Sequence, residues 1–91
     1  MLLTDKPKRN PQYRLETIDG ELLLFNPWQT KMLYCNPTAS IIWQICDGQQ
    51  TLQEIINLLV DAYPDAGKEA ITADVNETLQ QFLEQRAIQI K

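Results

Sequence analysis

Hydrophobic and polar positions change period at Asn36. Before it, apolar residues fall in short runs of strand length; after it, they recur at helical spacing. In "YRLETID", Tyr13, Leu15 and Thr17 fall on one side and Arg14, Glu16 and Ile18 on the other, which predicts a strand. Asp19-Gly20 signals a tight turn. "ELLLFNP" predicts a second strand, ended by Asn26-Pro27. After the short loop "WQT", the run "KMLYC", Lys31 to Cys35, predicts a third. Three short strands in series form an antiparallel meander.

"NPTASIIWQICDG" opens the helical half. Asn36 suits an N-cap and Pro37 the first helical position. Ala39, Ile42, Trp43 and Cys46 stand at i, i+3, i+4 and i+7, one helical face, and Asp47-Gly48 ends the segment. Thr51 and Glu54 form a capping box before a stripe of Leu52, Ile55, Ile56, Leu59, Val60 and Tyr63, closed by Pro64. A third helix is expected from about Lys68 to about Arg86, with Asp65 and Thr72 as candidate caps. Ile71, Val75, Thr78 or Leu79, Phe82 and Leu83 give its buried stripe. "AIQI", Ala87 to Ile90, alternates and predicts one more short strand. Residues 1–12, polar and broken by Pro7 and Pro11, read as a flexible tail before a single domain at 13–91. Strands segregated from helices define an α+β class, here a three-stranded sheet followed by a three-helix bundle. The tight turn between the first two helices gives a helix-turn-helix look, and the attached meander makes it winged.

Composition narrows the function. A chain of 91 residues, 44% hydrophobic and 22% charged, suits one globular domain. Its longest apolar run, "LLLF", is far short of the ~18 residues of a membrane span. "MLLTDKPKRN" lacks the apolar region of a signal peptide, so a cytosolic protein is expected. The net charge of −4 is uneven: residues 36–91 carry eight acidic groups and three basic ones. The third helix holds Glu69, Asp74, Glu77 and Glu84 against Lys68 and Arg86. That is the wrong sign for a helix that reads DNA, since affinity there comes largely from neutralising phosphates.

Catalytic chemistry is sparse. There is no histidine, and Cys35 and Cys46 are not spaced as a CxxC pair. Both cysteines read as small buried hydrophobes. Zinc wants about four Cys or His ligands. Three glycines leave no phosphate-cradling loop, and Thr38 and Ser40 have no histidine to activate them. Asp74 and Glu77, three apart, suit a solvated helix face. No catalytic residue, metal or cofactor is expected. There remains "KMLYC", in which Lys31, Leu33 and Cys35 point one way and Met32 and Tyr34 the other. Both faces are apolar, and Lys31 is the one obvious guard against pairing with another chain. Two readings stand level: a central strand covered by helices, or an open edge able to accept a peptide as a further strand.

Asn36-Pro37-Thr38-Ala39, Ile42-Trp43, Asp47-Gly48, Thr51-Leu52 with Glu54-Ile55, and Asp74-Val75 with Phe82-Leu83 together resemble the PqqD family. Its members are the small proteins of pyrroloquinoline quinone biosynthesis and their relatives in other modified-peptide pathways. The resemblance runs from roughly Tyr13 to Ile90. It implies a non-catalytic RiPP recognition element (for ribosomally made, post-translationally modified peptides). Such a protein binds the leader of a precursor peptide and presents it to a modifying enzyme, such as a radical SAM protein or a leader peptidase. By resemblance the leader adds as a strand along the backbone of Lys31, Met32, Leu33, Tyr34 and Cys35. The cleft wall then comes from Asp74, Val75, Thr78, Leu79 and Phe82 of the third helix, whose acidity favours a leader with basic residues. Two features depart from the family: Cys35 replaces a leucine, and Arg86-Ala87 stands where a glycine commonly ends the helix. The alternatives are a helix-turn-helix transcription regulator and a homodimer joined edge to edge.

Overall fold

The computed structural model describes residues 1–30 and 32–90. Strand β1 spans Pro7–Arg9, β2 Arg14–Ile18, β3 Glu21–Phe25 and β4 Met32–Cys35. Helix α1 spans Pro37–Ile45, α2 Leu52–Ala62 and α3 Lys68–Glu84, and β5 is Ile88–Ile90. The class is α+β, with two small sheets and three helices.

Asp19 and Gly20 turn β2 back onto β3. Both have positive φ, 52° and 80°, which suits the tightest hairpins because their twist matches that of the strands. The resulting sheet is antiparallel with strand order β2-β3-β4. Its register places Leu15, Leu24 and Leu33 in one cross-strand row and Leu22 beside Cys35 in another. Leu24 is buried in the core, with Leu15, Leu33 and Cys35 packed against it. The intervening residues, among them Glu16, Leu23 and Tyr34, lie on the opposite face because side chains alternate along a strand.

The helix starts follow their caps. The Asn36 side chain accepts the backbone N–H of Ala39 at 2.7 Å, and Pro37 occupies the first turn. The Thr51–Glu54 box is closed in both directions. Helix α3 differs from expectation. Its N-cap is Gly67, with φ 88° and no side-chain cap, rather than Asp65 or Thr72. Thr72 instead donates to the Lys68 carbonyl one turn back, at 2.8 Å. Ile42, Trp43, Ile55, Ile56, Val75 and Leu79 meet in one core. Helix α3 packs on α1, α2 and β5, while β4 packs on α1.

The segment read as a tail is largely built into the domain. Pro7–Arg9 pair antiparallel with Ile88–Ile90, and Pro7 is fully buried. Leu52 and Gln53, at the start of α2, donate backbone N–H groups to the carbonyls of Asp5 and Leu3 at 2.9 and 3.1 Å. The carbonyl of Gln44 accepts the Arg9 guanidinium, which lies 5.8 Å from the centre of the Trp43 ring. Polar composition and two prolines suggested a tail, but three residues of β pairing need no hydrophobic run to announce them. Proline is tolerated at the first residue of a strand.

Candidate functional site: the outer edge of β4

β4 has β3 on one side. Among the described residues no strand pairs with its other side. Among the described residues Met32–Cys35 is therefore an edge of the sheet, not a central strand. Lys31, its expected guard, lies outside the described residues. Successive residues of such a strand aim their N–H and C=O groups alternately at the paired neighbour and away from it. A main-chain hydrogen-bonding rim therefore faces outward. Met32 and Tyr34 are 58% and 75% exposed, whereas Leu33 and Cys35 are half-buried against the core. A large apolar pair on an open rim is what soluble proteins ordinarily avoid.

The expected cleft wall on α3 is only partly available. Asp74 is exposed and Thr78 half-buried. Val75, Leu79 and Phe82 are 0%, 1% and 2% exposed and belong to the core. They are not wall residues, because a guest cannot touch side chains that carry no surface. The cause is geometric. At i, i+4 and i+7 these three share the helix face that looks inward, and apolar periodicity identifies that face without saying what covers it.

The sequence reading passed over Trp28, which is 84% exposed. It stands on the β3–β4 loop, in a turn that is held at Asn26. Asn26 is buried, its Oδ1 accepts the Trp28 N–H at 2.9 Å, and its carbonyl accepts the Gln29 N–H at 3.0 Å. Across from the loop lies the end of α3. Trp28, Gln29 and Thr30 face Glu84, Gln85 and Arg86 over an open concavity of about 640 Å³. The turn was signalled by Asn26-Pro27, because an asparagine before proline favours turn initiation, but nothing in the sequence signalled the exposure of Trp28.

Neither cysteine is set up to react. Burial pushes the Cys46 thiol up to about 12, with the Arg9 charge pulling the other way, and its Sγ donates to the Ile42 carbonyl. Burial also raises the Cys35 thiol. A disulfide-exchange reagent at neutral pH is expected to label Cys35 slowly in the folded protein and Cys46 only on unfolding. Equal rates for the two would contradict this placement. Among the described residues no group of three His, Cys, Asp or Glu side chains is placed to hold a metal ion. No helix among the described residues is long and apolar enough to cross a membrane.

Among the described residues, then, the chain is a small α+β domain whose sheet ends in an unpaired, apolar strand. Comparison with known proteins names the family. The family model of coenzyme PQQ synthesis protein D (PqqD) matches residues 21–88, and this chain belongs to that family. The chain is 34% identical over 73 residues to a protein of Kluyvera intermedia named PqqA binding protein. That match covers 80% of this chain and 74% of the relative. No solved structure matches the chain.

Proposed function

We propose that this protein captures a ribosomal precursor peptide, of the PqqA kind that its relative is named for, by adding it as a strand to the outer edge of β4. The observation that carries this reading is an unpaired, apolar edge in a chain of the PqqD family. An added strand would take the outward N–H and C=O groups of β4 for affinity. It would place alternate side chains beside Met32 and Tyr34 for specificity. On the helix side, exposed Asp74 and half-buried Thr78 are the α3 residues of the expected wall with surface to offer. The acidic face of α3 would favour basic residues in the guest and disfavour nucleic acid. The domain, read as winged helix-turn-helix-like, then acts as a non-catalytic adaptor that presents the bound peptide to a modifying enzyme.

Calorimetric titration with synthetic PqqA tests the reading. The expected result is saturable 1:1 binding, with amide NMR shifts concentrated at Met32 to Cys35. Absence of heat together with unmoved Met32–Cys35 amides would overturn it. A gel shift with duplex DNA at rising salt tests the DNA-binding alternative, because phosphate contacts weaken steeply with salt.

A further inference from the structure

Strand addition leaves one end of the edge unexplained. The concavity between Trp28 and Arg86 is lined by Trp28, Gln29 and Thr30 of the loop that leads into β4, residues that the three-stranded sheet and the helical core do not use. Two features of its lining are costly for stability alone.

The first is Trp28. A nearly fully exposed indole forgoes its burial energy. Its backbone is held in a turn, with the Trp28 N–H on Asn26 Oδ1 and the Gln29 N–H on the Asn26 carbonyl.

The second is Arg86. Helix α3 ends in a Schellman motif: the Arg86 N–H donates to the Leu83 carbonyl at 3.0 Å and the Ala87 N–H to the Phe82 carbonyl at 2.8 Å. The residue between cap and exit must then be left-handed, and glycine is usual there. This chain has Arg86, at φ 61°. A side chain with a Cβ is strained in that conformation, so the fold alone would favour glycine. The backbone is clamped as well. The Arg86 carbonyl accepts the Asn10 side chain at 2.8 Å, and the Gln85 carbonyl accepts the Tyr13 hydroxyl. Of the two charged residues that line the concavity among the described residues, Glu84 is engaged by the Gln80 side chain at 3.4 Å, one turn back along α3.

We propose that this concavity is a second subsite for the same guest peptide. Arg86 pairs with a carboxylate side chain, and Trp28 covers an apolar residue beside it, on the stretch of peptide that runs past the start of β4. The inference rests on strand addition and deepens it. It adds to an apolar guest strand a required acidic residue at one end, although the rest of α3 is acidic. An arginine fork on a carboxylate is a directional, charge-assisted contact, so the subsite would set the register of the added strand as well as its affinity.

The test uses synthetic PqqA and a set of PqqA peptides in which each Asp or Glu is replaced in turn by its amide, titrated against wild type, Arg86→Gly and Trp28→Ala. Arg86→Gly relieves the left-handed strain, so its Tm is expected to stay level or rise, while its Kd for PqqA rises about tenfold. One amide peptide is expected to lose a similar factor against wild type and nothing further against Arg86→Gly. Trp28→Ala is expected to weaken binding, and PqqA is expected to shift the Trp28 emission to the blue. If PqqA binds wild type with shifts at Met32–Cys35, but both variants bind equally well, the subsite is wrong and strand addition stands. If PqqA does not bind wild type at all, strand addition fails and the subsite falls with it.

Discussion

Of the substitutions Leu33→Pro and Tyr34→Pro, one is expected to leave the protein folded while lowering peptide affinity about a hundredfold or more. The two residues are neighbours on β4 and pair with Leu24 and Leu23 of β3. In an antiparallel ladder one of them aims its N–H at β3 and the other aims it outward. Proline at the inward position removes a bond of the existing sheet and damages the fold. At the outward position it removes nothing the free protein uses, since edge strands tolerate proline where the N–H faces solvent. There it deletes a hydrogen bond to the guest and puts ring atoms where the guest backbone must lie. Circular dichroism and the amide spectrum identify the folded variant, and calorimetry with PqqA reads its affinity. Undiminished affinity in the variant that stays folded would remove strand addition from consideration.

Deleting residues 1–10 is expected to cost about 3 kcal/mol or more, lowering Tm by roughly 10–20 °C. A flexible tail would contribute nothing. Here the segment pairs with β5 and also makes main-chain bonds to the helices and their exits. Arg9 donates to Cys46 at 2.8 Å and Asn10 to Ala87 at 2.9 Å, while Gly48 donates to Pro7 at 3.0 Å. The bonds from Leu52 and Gln53 bind it to α2. Each such bond contributes about 1 kcal/mol net, and the entropy of ordering the strap cancels part of the sum. Loss of the strap also uncovers Trp43, whose Nε1 donates to the Ala87 carbonyl at 3.1 Å beneath it. Urea titration of the full and truncated chains measures the difference, and superimposable curves would restore the tail reading.

These two experiments bear on different parts of the molecule, and the residues differ in how plainly they announce themselves. Elements with strong local chemistry are legible. Asp19-Gly20 favours a tight turn, Asn36-Pro37 ahead of a helical stripe favours a helix start, and Thr51 with Glu54 favours a capping box. The core stripe of α1 and α2 is equally plain, because helical spacing of Ile42, Trp43, Ile55 and Ile56 leaves one face to bury. Pro7–Arg9 were not legible, since their partner, Ile88–Ile90, lies at the far end of the chain and three-residue pairings carry no period.

For the candidate site, the alternation of "MLYC" correctly separates Met32 and Tyr34 from Leu33 and Cys35, because side-chain alternation is a property of the strand itself. Which side of that strand stays open is not local. It depends on β3 taking one rim and nothing in the described fold taking the other, and only the assembled sheet order supplies that fact. The same holds on α3. Periodicity picks out Val75, Leu79 and Phe82 as one face but cannot distinguish a face against the core from a face against a groove. Packing on α1, α2 and β5 puts them in the core. Trp28 and Arg86 are the extreme case. They lie 58 residues apart in the chain, and only chain folding makes them opposite walls of one concavity. Short-range chemistry thus sets turns, caps and faces from the residues alone, whereas openness, burial and the meeting of distant side chains belong to the folded chain, because each depends on what else occupies the neighbouring space.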